Sequence, residues 1–169
     1  PIGIGVLTAA QRGDLLEPET HALMIRLMTT LNKEARNILV NFDVHACTDV
    51  TGFSFLGHLY EMCSGSDVSA EIDVNAIALI PEALEFARIG ILPEGMYRNR
   101  TFADHAVDVG STELAVCDLL FDPQTSGGLL VAVPETEADA VFDALNGKVP
   151  CVQRVGHVIE KREKSIYLK

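Results

Sequence analysis

Apolar residues recur at helical spacing from Pro18 onward, and Pro18 itself suits the first turn of a helix. The recurring positions, three or four residues apart, are Leu23, Leu27, Leu31, Ala35, Ile38 and Phe42. They predict a long amphipathic helix over 18–42. Further helices are predicted by the same spacing, or by a proline that starts them, over 56–63, 81–89, 113–121 and 138–145.

Strands are predicted where polar and apolar residues alternate, or where apolar residues run together. The alternation from Val68 to Val74 has the period of two that marks a half-buried strand. The apolar run 128–133 is typical of a central strand covered on both faces, and Pro134 ends it. Shorter strands are predicted over 44–50, 152–159 and 164–168.

The order of these elements predicts the fold class. The segment 90–109 contains Pro93, Gly95 and several polar residues, which predicts loops with room for one short helix. Elsewhere helices and strands alternate, and no repeat of about 20 to 50 residues is present. We therefore expect an α/β fold in which helices pack on a mixed β-sheet in layers, with an α+β-like arrangement.

Length and composition favour one globular domain over 1–169. A chain of 169 residues that is 48% hydrophobic can bury one substantial core. No stretch approaches the roughly 18 apolar residues of a membrane span, and residues 1–20 lack the order of a signal peptide. The four cysteines lie far apart, without the CxxC spacing of zinc sites or the density of a disulfide framework. We expect a soluble protein of the reducing cytoplasm, with no membrane partner.

The net charge restricts the ligands. Thirteen basic residues against 24 acidic ones give a net charge of −11. This charge repels phosphate backbones, so nucleic acid is not expected as a partner. To bind a small anionic ligand, such a chain would need a bound cation or backbone amides that point at the ligand.

One candidate site is the stretch ACTDVTGFSFLGH, in which Asp49 follows a short strand and Thr51-Gly52 precede a helix. Ligands favour the carboxyl ends of strands, and helix N-termini attract phosphate. Asp49 cannot bind phosphate itself, but it can hold Mg²⁺, which takes carboxylate and phosphate oxygens together. The alternative is that Asp49 or Thr51 caps the helix, and on spacing alone the cap is favoured.

The second candidate is DLLFDPQTSGGLL, from Asp118 to Leu130, where Asp122-Pro123 and a Ser-Gly-Gly run interrupt two apolar segments. The turn chemistry can expose backbone amides to an anion or a ribose. It can equally make a tight connection into a buried strand, which turn chemistry alone favours.

Three long stretches carry a resemblance: MTTLNKEARNILVNFDVHACTDVTGFSFLGHLYEM, PEALEFARIGILPEGMYRNR and LLFDPQTSGGLLVAVP. In order, they resemble the C-terminal half of the selenophosphate synthetase (selenide, water dikinase) family of the aminoimidazole ribonucleotide synthetase superfamily. Superfamily members pair N-terminal and C-terminal α/β domains around an ATP site. The resemblance implies synthesis of selenophosphate from selenide, ATP and water, with release of AMP and phosphate. It also implies a homodimer formed mainly through the N-terminal half.

The resemblance assigns roles to individual positions. Asp49 falls on the aspartate of the family motif TDVTGFG, which implies that it holds Mg²⁺ at the ATP phosphates with aspartates of the N-terminal domain. Thr48, Thr51 and Gly52 would line the same face. The residues that match the second motif, and are expected to face ATP, are Gln124, Thr125, Ser126, Gly127 and Gly128. Ser54 departs from the family, which usually has glycine there.

No catalytic residue is expected in this chain, because the family's reactive Cys or selenocysteine and its lysine belong to the N-terminal half. Cys47 is interpreted as a small hydrophobe, and His45 and His58 as structural histidines. The segment 1–16 begins PIGIGVLTAA without Met and resembles the family's inter-domain crossing. We therefore expect a fragment that folds but is inactive alone.

Two other functions stay open. A sister ATP-dependent enzyme, such as the purine-pathway synthetase or thiamine-phosphate kinase, would share the fold. A non-catalytic assembly or regulatory module would share it too. Asn32 and Lys33 match a TLNK run of the family without an assigned role.

Overall fold

The structure is a computed structural model that describes residues 1–169. Its helices are α1 (Ile4–Arg12), α2 (Pro18–Thr29), α3 (Lys33–Leu39), α4 (Ser54–Gly65), α5 (Pro81–Arg88), α6 (Glu94–Ala103), α7 (Leu114–Leu120) and α8 (Ala138–Leu145). Its strands are β1 (Ala46–Asp49), β2 (Ser69–Ile72), β3 (Val107–Asp108), β4 (Leu129–Ala132), β5 (Gly156–Ile159) and β6 (Ile166–Leu168).

The strands form two sheets. The larger sheet has the order β3-β6-β2-β5, in which β6 runs parallel to both β3 and β2, and β5 is antiparallel to β2. The smaller sheet pairs β1 with β4 in antiparallel register, so that Asp49 lies opposite Leu129. The predicted layered α/β fold with helices on a mixed sheet is confirmed.

Helix α7 separates two apolar clusters. Leu120 packs with α4, α6 and the larger sheet, and Leu119 packs with α1, α2 and α5. Every residue of α7 except Leu114 and Val116 is buried. A third, smaller cluster joins α3 and α8 to the outer side of β4. The loops after β1 and before β4 lie between these clusters, which positions the candidate site.

The prediction of one long helix over 18–42 is wrong, because this segment forms two helices, α2 and α3. Thr30 leaves the helical conformation with ψ 124°, and its hydroxyl donates back to the carbonyl of Arg26. The side chain of Asn32 is drawn away to the carbonyl of Gly127. The apolar periodicity continues through the break because each helix has its own apolar stripe: that of α2 packs with α1 and α5, and that of α3 packs with α8 and β4.

The prediction that 128–133 is a central strand is wrong. β4 pairs only with β1, and its four residues are all partly exposed. Its apolar run has another cause: Leu130 packs against the larger cluster, while Leu129 and Val131 pack against the cluster of α3 and α8. Both faces therefore contact apolar side chains although the strand has a single partner.

Two helices lie where sequence patterns were weak. Helix α6 occupies ten residues of the segment predicted as loops with room for one short helix, and buries Met96, Asn99 and Ala103. Helix α1 lies inside the predicted crossing 1–16 and buries Ile4, Val6, Leu7 and Ala10. No helix of the structure is both long enough and apolar enough to cross a membrane.

Candidate functional site

Asp49 ends β1 with its carboxylate in solvent. It is exposed, and its side chain makes neither a hydrogen bond nor an ion pair. The alternative that Asp49 or Thr51 caps α4 is wrong, because neither side chain accepts a hydrogen bond from an amide of that helix. Instead the backbone carbonyl of Thr51 accepts from the amide of Ser54 at 3.0 Å and closes a tight turn. The carboxylate is therefore free for a ligand.

Ser54 explains why glycine suits the first turn of α4. Its φ of 73° lies in the left-handed region, where an L residue is strained by roughly 1–2 kcal/mol. The residue is fully buried, and its Oγ accepts from the amide of Gly57 at 3.2 Å. Serine therefore keeps the turn that a glycine would form, with one local hydrogen bond as compensation.

An open depression of about 530 Å³ contains the Asp49 carboxylate. Its wall carries two cations of α3, Lys33 and Arg36, both exposed and neither in an ion pair. The full set of lining residues is Asn32, Lys33, Arg36, Cys47, Thr48, Asp49 and Leu129. In a chain of net charge −11, two free cations beside one free carboxylate suit an anion that arrives with a metal ion.

Arg36 was missed by sequence reasoning, and Lys33 was noted without a role. The helical step of three residues places both on one side of α3, next to the end of β1. This side of α3 borders the carboxylate because α3 packs against β4, which pairs with β1. Only the tertiary structure shows this arrangement.

The loop before β4 is held against the Asp49 turn by backbone contacts. The amide of Val50 donates to the carbonyl of Gly128 at 2.8 Å. A Cβ on Gly127 would lie 2.0 Å from the carbonyl oxygen of Val50, so only glycine permits this approach. Asn32 donates to the carbonyl of Gly127 at 2.8 Å and ties α3 to the same loop.

Gln124 does not reach the surface, although it was expected to face ATP. Its Oε1 accepts from the amides of Gly3 and Ile4 at 3.2 and 3.3 Å, and its Nε2 donates to Asp122 at 2.9 Å. Its own backbone amide donates to the carbonyl of Thr51 at 3.0 Å. Both ends of the buried side-chain amide are thus occupied within the chain, so that Gln124 links this loop to the start of α1.

Asp122 lies in the same buried cluster and is fully enclosed. Its Oδ2 accepts from the amide of Gly5 at 2.8 Å, at the start of α1. Burial raises the pKa of Asp122 to about 7, although hydrogen bonds from Gln124 and from the amides of Gly5 and Val6 oppose the rise. Asp122 and Gln124 together provide the N-terminal amides of α1 with acceptors.

The other residues predicted for this loop are accessible. Thr125, Ser126 and Gly128 are exposed, and Gly127 is partly exposed. Ser126 has a positive φ of 52°, which turns the loop back towards β1. Thr48 is half-buried in the wall of the depression, and Gly52 is exposed beyond it.

Asn99, on α6, is a further residue that the sequence did not single out. It is buried, and its Nδ2 donates to the carbonyls of Gly52 and Phe121 at 2.9 and 3.1 Å. One side-chain amide thus fastens the Asp49 turn to the end of α7. Asn99 lies in the segment predicted as loops, so no pattern pointed to it.

Cys47 lines the depression and is exposed, where the sequence predicted a small buried hydrophobe. Desolvation, together with the negative charge of Asp49, raises the pKa of its thiol. A raised pKa lowers the thiolate fraction, which supports the view that Cys47 is not a nucleophile. No group of three or more His, Cys, Asp or Glu side chains is placed to hold a metal ion.

Residues 1–169 match the family described as AIR synthase related protein, C-terminal domain. The chain belongs to this family. This AIR synthase related domain is 45% identical over 170 residues to a selenide, water dikinase of Caldanaerobacter subterraneus subsp. tengcongensis, and 41% identical over 169 residues to one of Treponema denticola. These matches cover 100% and 97% of the chain, and 49% and 48% of the relatives. The chain spans about half the length of the curated relatives it matches.

Solved structures resemble the AIR synthase related domain in fold. Thiamine-monophosphate kinase from Stenotrophomonas maltophilia K279a matches it with a TM-score of 0.65 and 16% identity, over 99% of this chain and 47% of that one. The enzyme from Aquifex aeolicus matches with a TM-score of 0.57 and 12% identity, over the same shares. At this identity the likeness concerns the fold alone.

Proposed function

We propose that this domain provides the Asp49 side of a Mg-ATP site in an enzyme that makes selenophosphate from selenide, ATP and water. The observation that carries the proposal is the free, exposed carboxylate at the end of β1, in a depression that also holds two unpaired cations. The extended similarity to proteins named selenide, water dikinase supports the choice of reaction.

The residues of this domain suit a magnesium site to which a second domain contributes further ligands. Mg²⁺ keeps several waters and is bound through one or two carboxylates plus the phosphates of a substrate, so a single aspartate at an open edge is a sufficient contribution from one domain. Asp49 would hold the ion, which neutralises phosphate charge when bound. Lys33 and Arg36 are suited to bind phosphate oxygens from the other side of the depression.

The exposed residues of the loop before β4 form the rest of the proposed binding face. Thr125, Ser126 and Gly128 border the Asp49 turn and present hydroxyl and backbone groups to solvent. Gln124 is outside the proposed binding face because its amide is occupied. The chemical step requires further acids and a nucleophile, which the proposal assigns to a partner domain, in keeping with relatives of about twice this length. The homodimer and the cytoplasmic location belong to the same proposal.

The test is Asp49→Asn in the full-length protein that carries this chain, assayed for ATP-dependent selenophosphate formation. We expect activity to be abolished, because a neutral amide is a weak magnesium ligand beside a phosphate. The melting temperature should hardly change, because an exposed side chain without partners contributes less than about 0.5 kcal/mol.

The control is Asp43→Asn, which removes another exposed carboxylate before β1, beside His45 and outside the depression. It should leave activity at the wild-type level. Retained activity in Asp49→Asn together with a large fall in melting temperature would show that Asp49 has a structural role and would refute the proposal.

A further inference from the structure

Three side chains form a hydrogen-bonded row behind the Asp49 turn. Glu61 Oε2 lies 3.0 Å from His58 Nδ1, and His58 Nε2 lies 3.1 Å from Thr51 Oγ1. The imidazole is buried, with its side chain 10% exposed, and the ring of Phe53 covers it edge-on at 5.9 Å. Thr51 is two residues beyond Asp49, and Glu61 is half exposed at the far end of the row.

The donors and acceptors in this row can be assigned from their chemistry. A carboxylate only accepts, so the bond from His58 to Glu61 requires the proton to be on Nδ1. In a neutral imidazole the other nitrogen, Nε2, is then an acceptor. With the imidazole in this neutral form, the hydroxyl of Thr51 donates its single proton to Nε2.

We propose that His58 and Glu61 are positioning residues that occupy the Thr51 hydroxyl proton, so that Oγ1 of Thr51 offers only lone pairs to the Mg-nucleotide. A hydroxyl has one donor and two acceptor sites, and no other side chain uses the remaining sites of Thr51. Phosphate oxygens are acceptors, so they cannot form a hydrogen bond with these lone pairs. A hard cation can be coordinated by them, and a water bound to that cation can donate to them.

The inference rests on the proposed function and refines it. Thr51 was expected to face ATP or its phosphates, and the row limits its hydroxyl to the metal side of that complex. The backbone carbonyl of Thr51 is already occupied by the amides of Ser54 and Gln124, so the hydroxyl oxygen is the acceptor that Thr51 has left for a cation. Outer hydrogen bonds of this kind fix the orientation of groups at metal sites.

The first test reads the tautomer directly. The ring nitrogens of His58 are observed by ¹⁵N NMR in the full-length protein with labelled histidine, and assigned by comparison with His58→Gln. We expect a protonated Nδ1 and an unprotonated Nε2. Glu61→Ala should convert this single tautomer into a mixture, and His21, which is exposed and has no side-chain partner, should show a mixture throughout. A protonated Nε2 in the wild type at neutral pH would overturn the inference.

The second test separates metal from phosphate binding in the same protein. Thr51→Val should raise the Mg²⁺ concentration needed for half-maximal activity by about tenfold, the effect of one hydrogen bond or ligand contact to a charged group. The KM for ATP at saturating Mg²⁺ should change less than about twofold. Thr51→Ser, which keeps the oxygen, should need less Mg²⁺ than Thr51→Val, and His58→Gln should retain more of the magnesium response than His58→Leu.

The outcomes distinguish the inference from the proposed function. A higher KM for ATP in Thr51→Val, with unchanged Mg²⁺ demand, would mean that Thr51 donates to phosphate and would overturn the inference alone. If neither the Mg²⁺ requirement nor the KM for ATP changes in Thr51→Val, the three side chains have only a structural role. That result would also overturn the inference. A wild-type protein without ATP-dependent activity would refute the proposed function, and the inference with it, whatever the tautomer.

Discussion

Asp122 makes the stability of this domain depend on pH in an unusual direction. The carboxyl group is fully buried at the start of α1, and its pKa rises to about 7 because burial penalises the charged form. Asp122→Asn keeps the shape and an acceptor for the amide of Gly5, but it cannot ionise. The substitution therefore removes the titration, and its effect is read from the difference in pH dependence between the two proteins.

The size of the effect follows from the two pKa values. The unfolded group titrates near 3.8 and the folded group near 7, so between these values the folded state holds a proton that the unfolded state has released. Raising the pH through this window destabilises the fold. The contribution is complete below pH 3.8 and lost above pH 7, and it amounts to about 4 kcal/mol. About 3 kcal/mol of it falls between pH 5 and pH 8.

The assay is urea unfolding followed by far-UV circular dichroism at pH 5, 6, 7 and 8. The free energy of unfolding of the wild type should fall by about 3 kcal/mol relative to Asp122→Asn across this range. Asp143→Asn, which removes an exposed carboxylate of α8, should follow the wild-type curve. Parallel curves for wild type and Asp122→Asn would refute the reasoning, because they would mean that Asp122 is ionised in the folded state.

Three further predictions concern the loops around the depression. Gly127→Ala should destabilise the fold by more than about 2 kcal/mol in urea unfolding, because the new Cβ would meet a backbone oxygen at 2.0 Å, whereas Gly128→Ala, with nothing within 4 Å, should be nearly neutral. Gln124→Leu should cost roughly 2–4 kcal/mol in the same assay by leaving two buried amides at the start of α1 without acceptors. Replacing Lys33 and Arg36 together by Met should raise the KM for ATP by about tenfold in the full-length protein with an unchanged melting temperature; an unchanged KM would remove both cations from the proposed site.

Elements with strong periodicity were predictable, and elements held by scattered contacts were not. Helix α4 and strand β2 show a clear apolar pattern because one face of each packs in the same cluster. Helix α6 has a polar sequence, and Asn99 occupies one of its buried positions. A polar residue that is buried because its hydrogen bonds are satisfied leaves no hydrophobic signal, so the sequence predicted loops with room for one short helix and did not place that helix.

The sequence by itself determined the fold class, the turn that presents Asp49 and the family, because these depend on local spacing and on motifs that can be read in order. Tertiary structure alone decided which motif residues can meet a ligand. Gln124 and Ser126 stand two residues apart in one motif, yet one is buried beneath α1 and the other is exposed. It also brought Arg36 beside Asp49 and aligned Glu61, His58 and Thr51. The physical reason is that burial and hydrogen-bond partners arise from segments distant in the chain, which spacing along one segment does not describe.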